Sequence, residues 1–275
     1  MNIHPMAIVS SQARLGRDVV VGPYAIIEDD VEIGDGTSIG AHSVVKNGSK
    51  LGCRNDVSEH VVIGGAPQHL KKNADLGRLV VGDGNTIREY SSLHRAMKPD
   101  HVTTVGNDNF FMAGTHVAHD CTVGSNITCA NNVLFGGHVI VEDRAFVSGA
   151  VGVHQFCRIG TLAMVGGHTK IVQDVPPFTM VDNLTSCVVG LNLVGLRRNG
   201  YTTEQIAELK LAYRTIYRRG LKWSDVLEQL KLQFPTGPAS RISHVPVGRH
   251  AWIRARTADA AARHAENSRC GFGLD

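Results

Sequence analysis

The chain has 275 residues, 43% of them hydrophobic, with 30 glycines, only 5% aromatics and a formal net charge of +3. There is ample apolar material for a core, but the scarcity of aromatics excludes one built on large rings and favours thin repeated layers joined by tight corners. Setting aside residues 236–275, which hold six Arg and three acidic residues, leaves 22 basic against 22 acidic groups, so the charge total gives no ground for a nucleic-acid partner or a membrane surface.

The chain opens on "MNIHPMAIVSS", which lacks a basic region followed by a long apolar run. No later stretch approaches the roughly eighteen consecutive apolar residues of a membrane span. A cytoplasmic protein with no integral membrane segment is expected. Cys53, Cys121, Cys129, Cys157, Cys187 and Cys270 form no C-x-x-C pair, which predicts reduced thiols rather than a disulfide framework.

From the first residues a fixed period is visible. Ile3, Val9, Leu15, Val21, Ile27, Ile33, Ile39, Val45, Leu51, Val57 and Ile63 stand at every sixth position. The run breaks at "GAPQHLKKNADLGR", resumes in phase at Val81, Ile87 and Leu93, and breaks again over "RAMKPDHVTT". It then continues from Val105 to Ile171 without losing register. The breaks, at about 64–80 and 95–104, therefore read as loops that leave a regular stack and return to it. A period of six fits neither the 3.6 of a helix nor the 2 of an alternating strand. It predicts a mainly β fold, a parallel solenoid in which three hexads make a triangular coil of about eighteen residues, with coils about 4.8 Å apart. Gly, Asn or Asp is expected at the corners, where φ is positive.

The prolines of "QDVPPFTMVDN" end the repeat, giving a solenoid over 1–184 and a helical domain over 185–235. In "YTTEQIAELKLAYRTIYRRG", Thr202 and Gln205 predict a capping box. Ile206, Leu209, Ala212, Tyr213, Ile216 and Tyr217 form the apolar stripe, and Gly220 closes the helix. "SDVLEQLKLQF" predicts a second helix stopped by Pro235. Residues 236–275 show no sustained apolar period and read as a disordered tail, or as the product of an altered reading frame.

One stretch concentrates chemistry: "GTHVAHDCTVG" sets His116 three residues before His119, with Asp120 adjacent. With an eighteen-residue coil, Asp120 and His138 share an angular position on neighbouring coils, and His119 lies close to His138. His116, His119, His138 and His154 are thus expected along one groove. Such a set can be a surface accident, a zinc site of three imidazoles, or a general base with its orienting carboxylate.

The ordered motifs "HVAHDCTVG", "GGHV", "VHQFCRIG", "MVGG", "QDVPP" and "GLNLVGLRRNG", followed by the helical appendage, resemble the acyl-carrier-protein:UDP-N-acetylglucosamine O-acyltransferases over about residues 1–233. Those enzymes begin lipid A synthesis in bacteria with an outer membrane. The resemblance implies a left-handed parallel β-helix, although the usual crossover rule predicts the opposite hand. It implies His119 as catalytic base, Asp120 as the group that orients it and the Gly137 N–H as oxyanion donor. His116, His138, His154 and Gln155 fall at the sugar and pantetheine sites, and Gln68, His69, Lys71 and His94 around the nucleotide sugar. Asn192 and Arg198 fall near the nucleotide, and Gly167 at the end of the acyl groove. Acyl carrier protein and a UDP-sugar are the implied partners, with sites between the subunits of a homotrimer and neither metal nor cofactor. A long hydroxyacyl group is the implied donor.

This chain departs from the family pattern at His69, where Asp is common, in "HRAM" at 94–97 for "HRGT", at Val194 for Glu and at Asn199 for Arg. Because His69 falls near the acceptor, a 3-amino sugar competes with the 3-hydroxyl. A zinc carbonic anhydrase and a non-catalytic scaffold are the readings from other classes.

Overall fold

The computed structural model describes residues 1–70, 75–183, 186–217 and 223–244. Each hexad contributes a short strand, most often of two residues, and the strands of the described residues stack into three sheets of 11, 9 and 8 strands. In the first sheet Val21 pairs with Ile39, Ile39 with Val57, Val57 with Ile87 and Ile87 with Phe111, all in parallel. The two excursions are thus expelled from the coil while the ladder runs on unbroken. From Val21 to Ile171 the in-phase side chains are buried, Val153 being the most exposed at 4%. Ile3 is 39% exposed because the first coil has a neighbour on one side only. The architecture is a left-handed parallel β-helix.

The corners differ from expectation. Left-handed backbone recurs every six residues, but it is carried by His42, His60, Tyr90, Arg144, Phe156 and Leu162 as well as by Gly, Asn and Asp. Such a residue costs about 1 to 3 kcal/mol unless its surroundings over-determine it. Here most corner N–H groups are tied to the coil before them: His138 N–H donates to His119 O at 3.0 Å and Phe156 N–H to Gly137 O at 3.0 Å. The coil-to-coil bond holds the turn, so the side chain is free to serve other ends. At one corner Tyr24, His42, His60 and Tyr90 stack ring on ring, with centroids 4.9 to 5.4 Å apart. At a second, Asn55, Asn85 and Asn109 form a buried amide ladder through bonds of 3.0 and 2.9 Å. Both excursions leave from the third corner, between the second and third sheets.

After the last coil, residues 188–191 pair antiparallel with 179–181, and among the described residues four helices follow: α1 (Leu193–Arg198), α2 (Thr203–Tyr217), α3 (Trp223–Gln233) and α4 (Ser240–His244). The capping box forms, with Thr202 N–H donating to Gln205 Oε1 at 2.9 Å and Gln205 N–H to Thr202 Oγ1 at 3.3 Å. Ile206, Leu209 and Ala212 join Val226 and Leu230 in a small core of their own, while Tyr213 and Tyr217 pack against the solenoid. The chain does not leave the fold at 235, where the tail was expected to begin. Ala239 and Ile242 are fully or nearly fully buried in the same core, and Ala239 N–H donates to Glu208 Oε1 at 2.9 Å. Residues 245–275 of that expected tail, and Gly220, lie outside the described residues. Among the described residues no helix is long and apolar enough to cross a membrane.

Candidate active site

The third corner carries the chemistry. Asp120 and His138 occupy the same turn position on successive coils, with φ of 59° and 61°. The strand His116–Val117 pairs with Leu134–Phe135, which pairs in turn with Gly152–Val153, so His116, His119, Gly137 and His154 are brought to one edge. They line a cleft of about 510 Å³ together with Gln68, His69, Gln155 and Lys170.

His119 is 7% exposed, and its Nδ1 lies 2.7 Å from Asp120 Oδ2. With Nδ1–H donating to the carboxylate, Nε2 is left as the basic nitrogen. Burial pushes the Asp120 carboxyl up, but hydrogen bonds from His119, His101 and the Met97 N–H outweigh it and hold the group below its ordinary range. It is therefore a carboxylate at neutral pH. His138 stands edge-on to His119, centroids 5.3 Å apart, and stacks on Phe156 at 4.6 Å. Its Nε2 is 4.0 Å from Asp120 Oδ2, too far for a hydrogen bond. His69, from the first excursion, places its ring edge-on to His119 at 5.9 Å.

Around this dyad the other histidines have partners of their own. His116 Nδ1 is 2.9 Å from Ser92 Oγ, and His94 Nδ1 is 2.7 Å from Ala66 O. His154 Nδ1 is 3.1 Å from Gln155 O. Burial, then the neighbouring His94 and His119, lower the His116 pKa to about 4 from 6.5, and burial lowers that of His94. The linkage has one sign: the unfolded chain binds a proton that the folded state refuses, so stability is lost as pH falls from 6.5 toward 4. The urea midpoint should therefore fall across that window, and His116→Asn should flatten the fall. Parallel profiles for the two proteins would show that His116 is not the source.

Not every residue expected at the site is there. Asn192 and Arg198 line a separate cavity of about 520 Å³, with Arg144, Val194 and Asn199. Asn192 caps α1, accepting from Gly195 N–H at 2.9 Å, and donates to Leu162 O at 2.9 Å. Gly167 lies between strands of the first and second sheets, at a different corner from the dyad; a β-carbon there would meet Gly149 O at 3.2 Å. His94 sits behind the cleft wall rather than in its lining. Lys71 lies outside the described residues. Conversely, sequence reasoning did not single out His101, whose Nδ1 is 2.9 Å from Asp120 Oδ1, nor Thr103, Phe156 and Lys170. Phe156 was within reach of the same eighteen-residue subtraction that found His138.

The donor atoms of His119, Asp120 and His138 lie within 4.8 Å of one another, close enough for a cation to bridge them. His119 Nδ1 is already bonded to the carboxylate, so a cation there would be held through Nε2, the nitrogen a general base would use.

A hexapeptide solenoid with a buried imidazole–carboxylate pair in an edge cleft defines a hexapeptide-repeat acyltransferase. Residues 12–47 match the bacterial transferase hexapeptide family. Residues 174–245 match the family described as UDP N-acetylglucosamine O-acyltransferase, domain 2. The acyl-(acyl-carrier-protein):UDP-N-acetylglucosamine O-acyltransferase of Verminephrobacter eiseniae is 49% identical over 80% of this chain and 84% of its own. That of Gloeothece citriformis is 47% identical over 62% of this chain and 61% of its own, so this chain spans less than two thirds of it. The solved UDP-N-acetylglucosamine acyltransferase of Francisella novicida is 32% identical, with a TM-score of 0.89 over 94% of this chain and 96% of that one. The chain belongs to the acyl-(acyl-carrier-protein):UDP-N-acetylglucosamine O-acyltransferase family.

Proposed function

We propose that this protein moves an (R)-3-hydroxyacyl group from acyl carrier protein to the 3-hydroxyl of UDP-N-acetylglucosamine, the first step of lipid A synthesis, in the cytoplasm. The observation that carries the reading is the His119–Asp120 pair at 2.7 Å on the wall of the cleft. His119 Nε2 takes the sugar hydroxyl proton as the oxygen attacks the thioester carbonyl carbon. The C–S bond then breaks, and the proton passes to the departing pantetheine sulfur. Asp120 fixes the ring tautomer and stabilises the transient imidazolium. A thioester is already activated for attack, so the reaction calls on neither a metal nor a covalent enzyme intermediate.

The Gly137 N–H is the oxyanion donor in this reading. It is buried against the cleft and forms no backbone hydrogen bond among the described residues. Gln68, His69, His116, His154 and Gln155, which line the cleft, would grip the sugar and pantetheine, with His138 bracing the dyad from the next coil. Lys71 and His94 are assigned to the nucleotide sugar, and Asn192 and Arg198, in their own cavity, to the nucleotide. Gly167 would limit acyl length from an adjoining subunit. Leu134 is 49% exposed on the cleft wall, an apolar surface of the kind a homotrimer would cover.

The test offers acyl carrier protein thioester with UDP-N-acetylglucosamine or its 3-amino analogue to the purified protein, with and without a chelator. Ester formation on the hydroxyl acceptor, insensitive to chelation, is expected. Exclusive amide formation would replace the acceptor, as the imidazole of His69 beside His119 allows. Loss of activity on chelation that zinc restores would overturn the metal-free mechanism.

A further inference from the structure

Asp120 holds two imidazoles. His119 Nδ1 lies 2.7 Å from Oδ2 and His101 Nδ1 2.9 Å from Oδ1, so each oxygen of one nearly buried carboxylate carries a ring. The Met97 N–H adds a bond to Oδ2 at 3.2 Å. The Asp120 N–H is itself tied to Thr103 Oγ1 at 2.8 Å. Met97, His101 and Thr103 all belong to the second excursion or the strand that ends it, so that excursion is fastened to the coil at Asp120. The His101 backbone is fixed at both polar groups: its N–H donates to Lys98 O at 2.9 Å and its O accepts from Arg78 N–H at 3.1 Å. Its side chain is 41% exposed, against 9% for His119. One ring faces the cleft; the other faces solvent.

We propose that His101 is a positioning residue for acyl transfer: its N–H to Oδ1 sets the carboxylate plane that aims His119, and its charge state tunes how strongly Asp120 supports that base. The inference rests on His119 being the base. A carboxylate gripped through one oxygen can swing about its Cβ–Cγ bond; a second donor on the other oxygen stops the swing. Donors also share the carboxylate charge. When His101 takes a second proton, part of the field that stabilises the His119 imidazolium is spent on His101 instead, and the two cations repel. The titratable and charged groups facing this edge, besides Asp120, are His119 and His138 from the coils, Lys98 from the second excursion and His69 from the first. Of these, His119 and His138 approach the carboxylate at Oδ2.

Geometry and charge separate in two variants. His101→Leu removes both the donor and the proton site, whereas His101→Gln keeps a neutral donor. With kcat and KM measured across about pH 5 to 9, His101→Leu should lower plateau kcat about tenfold, leave the KM for the nucleotide sugar within about twofold, and move the acid limb up by about half a pH unit. His101→Gln should restore kcat to within about threefold of the parent while keeping the displaced limb. A purely structural residue would lower the melting temperature without moving the limb. Should His101→Leu fold poorly, the limb of His101→Gln still decides. A parental limb in both variants, or equal loss of kcat in both, overturns the proposal. His119→Ala assayed alongside separates the two levels: if it is inactive while His101→Leu is parental, only His101 loses its role; if His119→Ala is fully active, the base itself is wrong.

Discussion

Gly137→Ala should cut acyl transfer by about a hundredfold or more while leaving the solenoid assembled. A β-carbon built on Gly137 would sit 2.6 Å from His119 Cε1 and 2.8 Å from Nε2, closer than real carbon atoms approach. The backbone there is not left-handed, so alanine is conformationally acceptable and the conflict falls on the ring. That ring cannot retreat freely, because Asp120 holds its Nδ1 and His138 stands against it. The methyl therefore displaces the base and crowds the nearby N–H that would receive the oxyanion. Steady-state kinetics should show the loss in kcat. Gly190→Ala, whose β-carbon would meet nothing within 4 Å, should behave as the parent. A fully active Gly137→Ala would mean that neither His119 nor the Gly137 N–H is where the reaction occurs.

His119→Ala should cost about a thousandfold in kcat, within the range spanned by general-base catalysis. A sugar hydroxyl is a poor nucleophile until its proton leaves, and no neighbour is placed to take over. His116 Nδ1 is bonded to Ser92, and its low pKa makes it a weak base. Burial and the positive charge that His119 and His101 can carry depress His138 as well, against the pull of Asp120. Binding of the nucleotide sugar should survive, since His119 is one of many groups in the cleft, so KM should change little. The fold should also survive, because the His119 O bond that holds the next corner is a backbone bond.

Much of this was legible in the chain because a solenoid converts spacing into geometry. The six-residue phase from Ile3 to Ile171 identified the inward positions, and subtraction of one coil brought Asp120, His138 and His119 together before any coordinates. The method failed where the chain leaves the coil. His101 is nineteen residues before Asp120, as His119 is before His138, yet it lies inside an excursion, and counting from within a loop carries no angular information. The corner residues misled in another way: propensity favours Gly, Asn and Asp at positive φ, but coil-to-coil hydrogen bonds override it, so nothing in residue type marked Phe156 and His42 as corners. Asn192 shows the reverse case, a family position whose side chain is also a helix cap. Residues 236–244 lacked a period long enough to read, although Ala239 and Ile242 complete the helical core.

If His119 and Asp120 work as one unit, their losses cannot multiply. The decisive measurement is a double-mutant cycle in kcat with His119→Ala, Asp120→Asn and the pair, each checked for native secondary structure. The combined variant is predicted to be no slower than His119→Ala alone, within about threefold. A combined loss equal to the product of the two single losses would contradict the assignment of Asp120 as partner to that base.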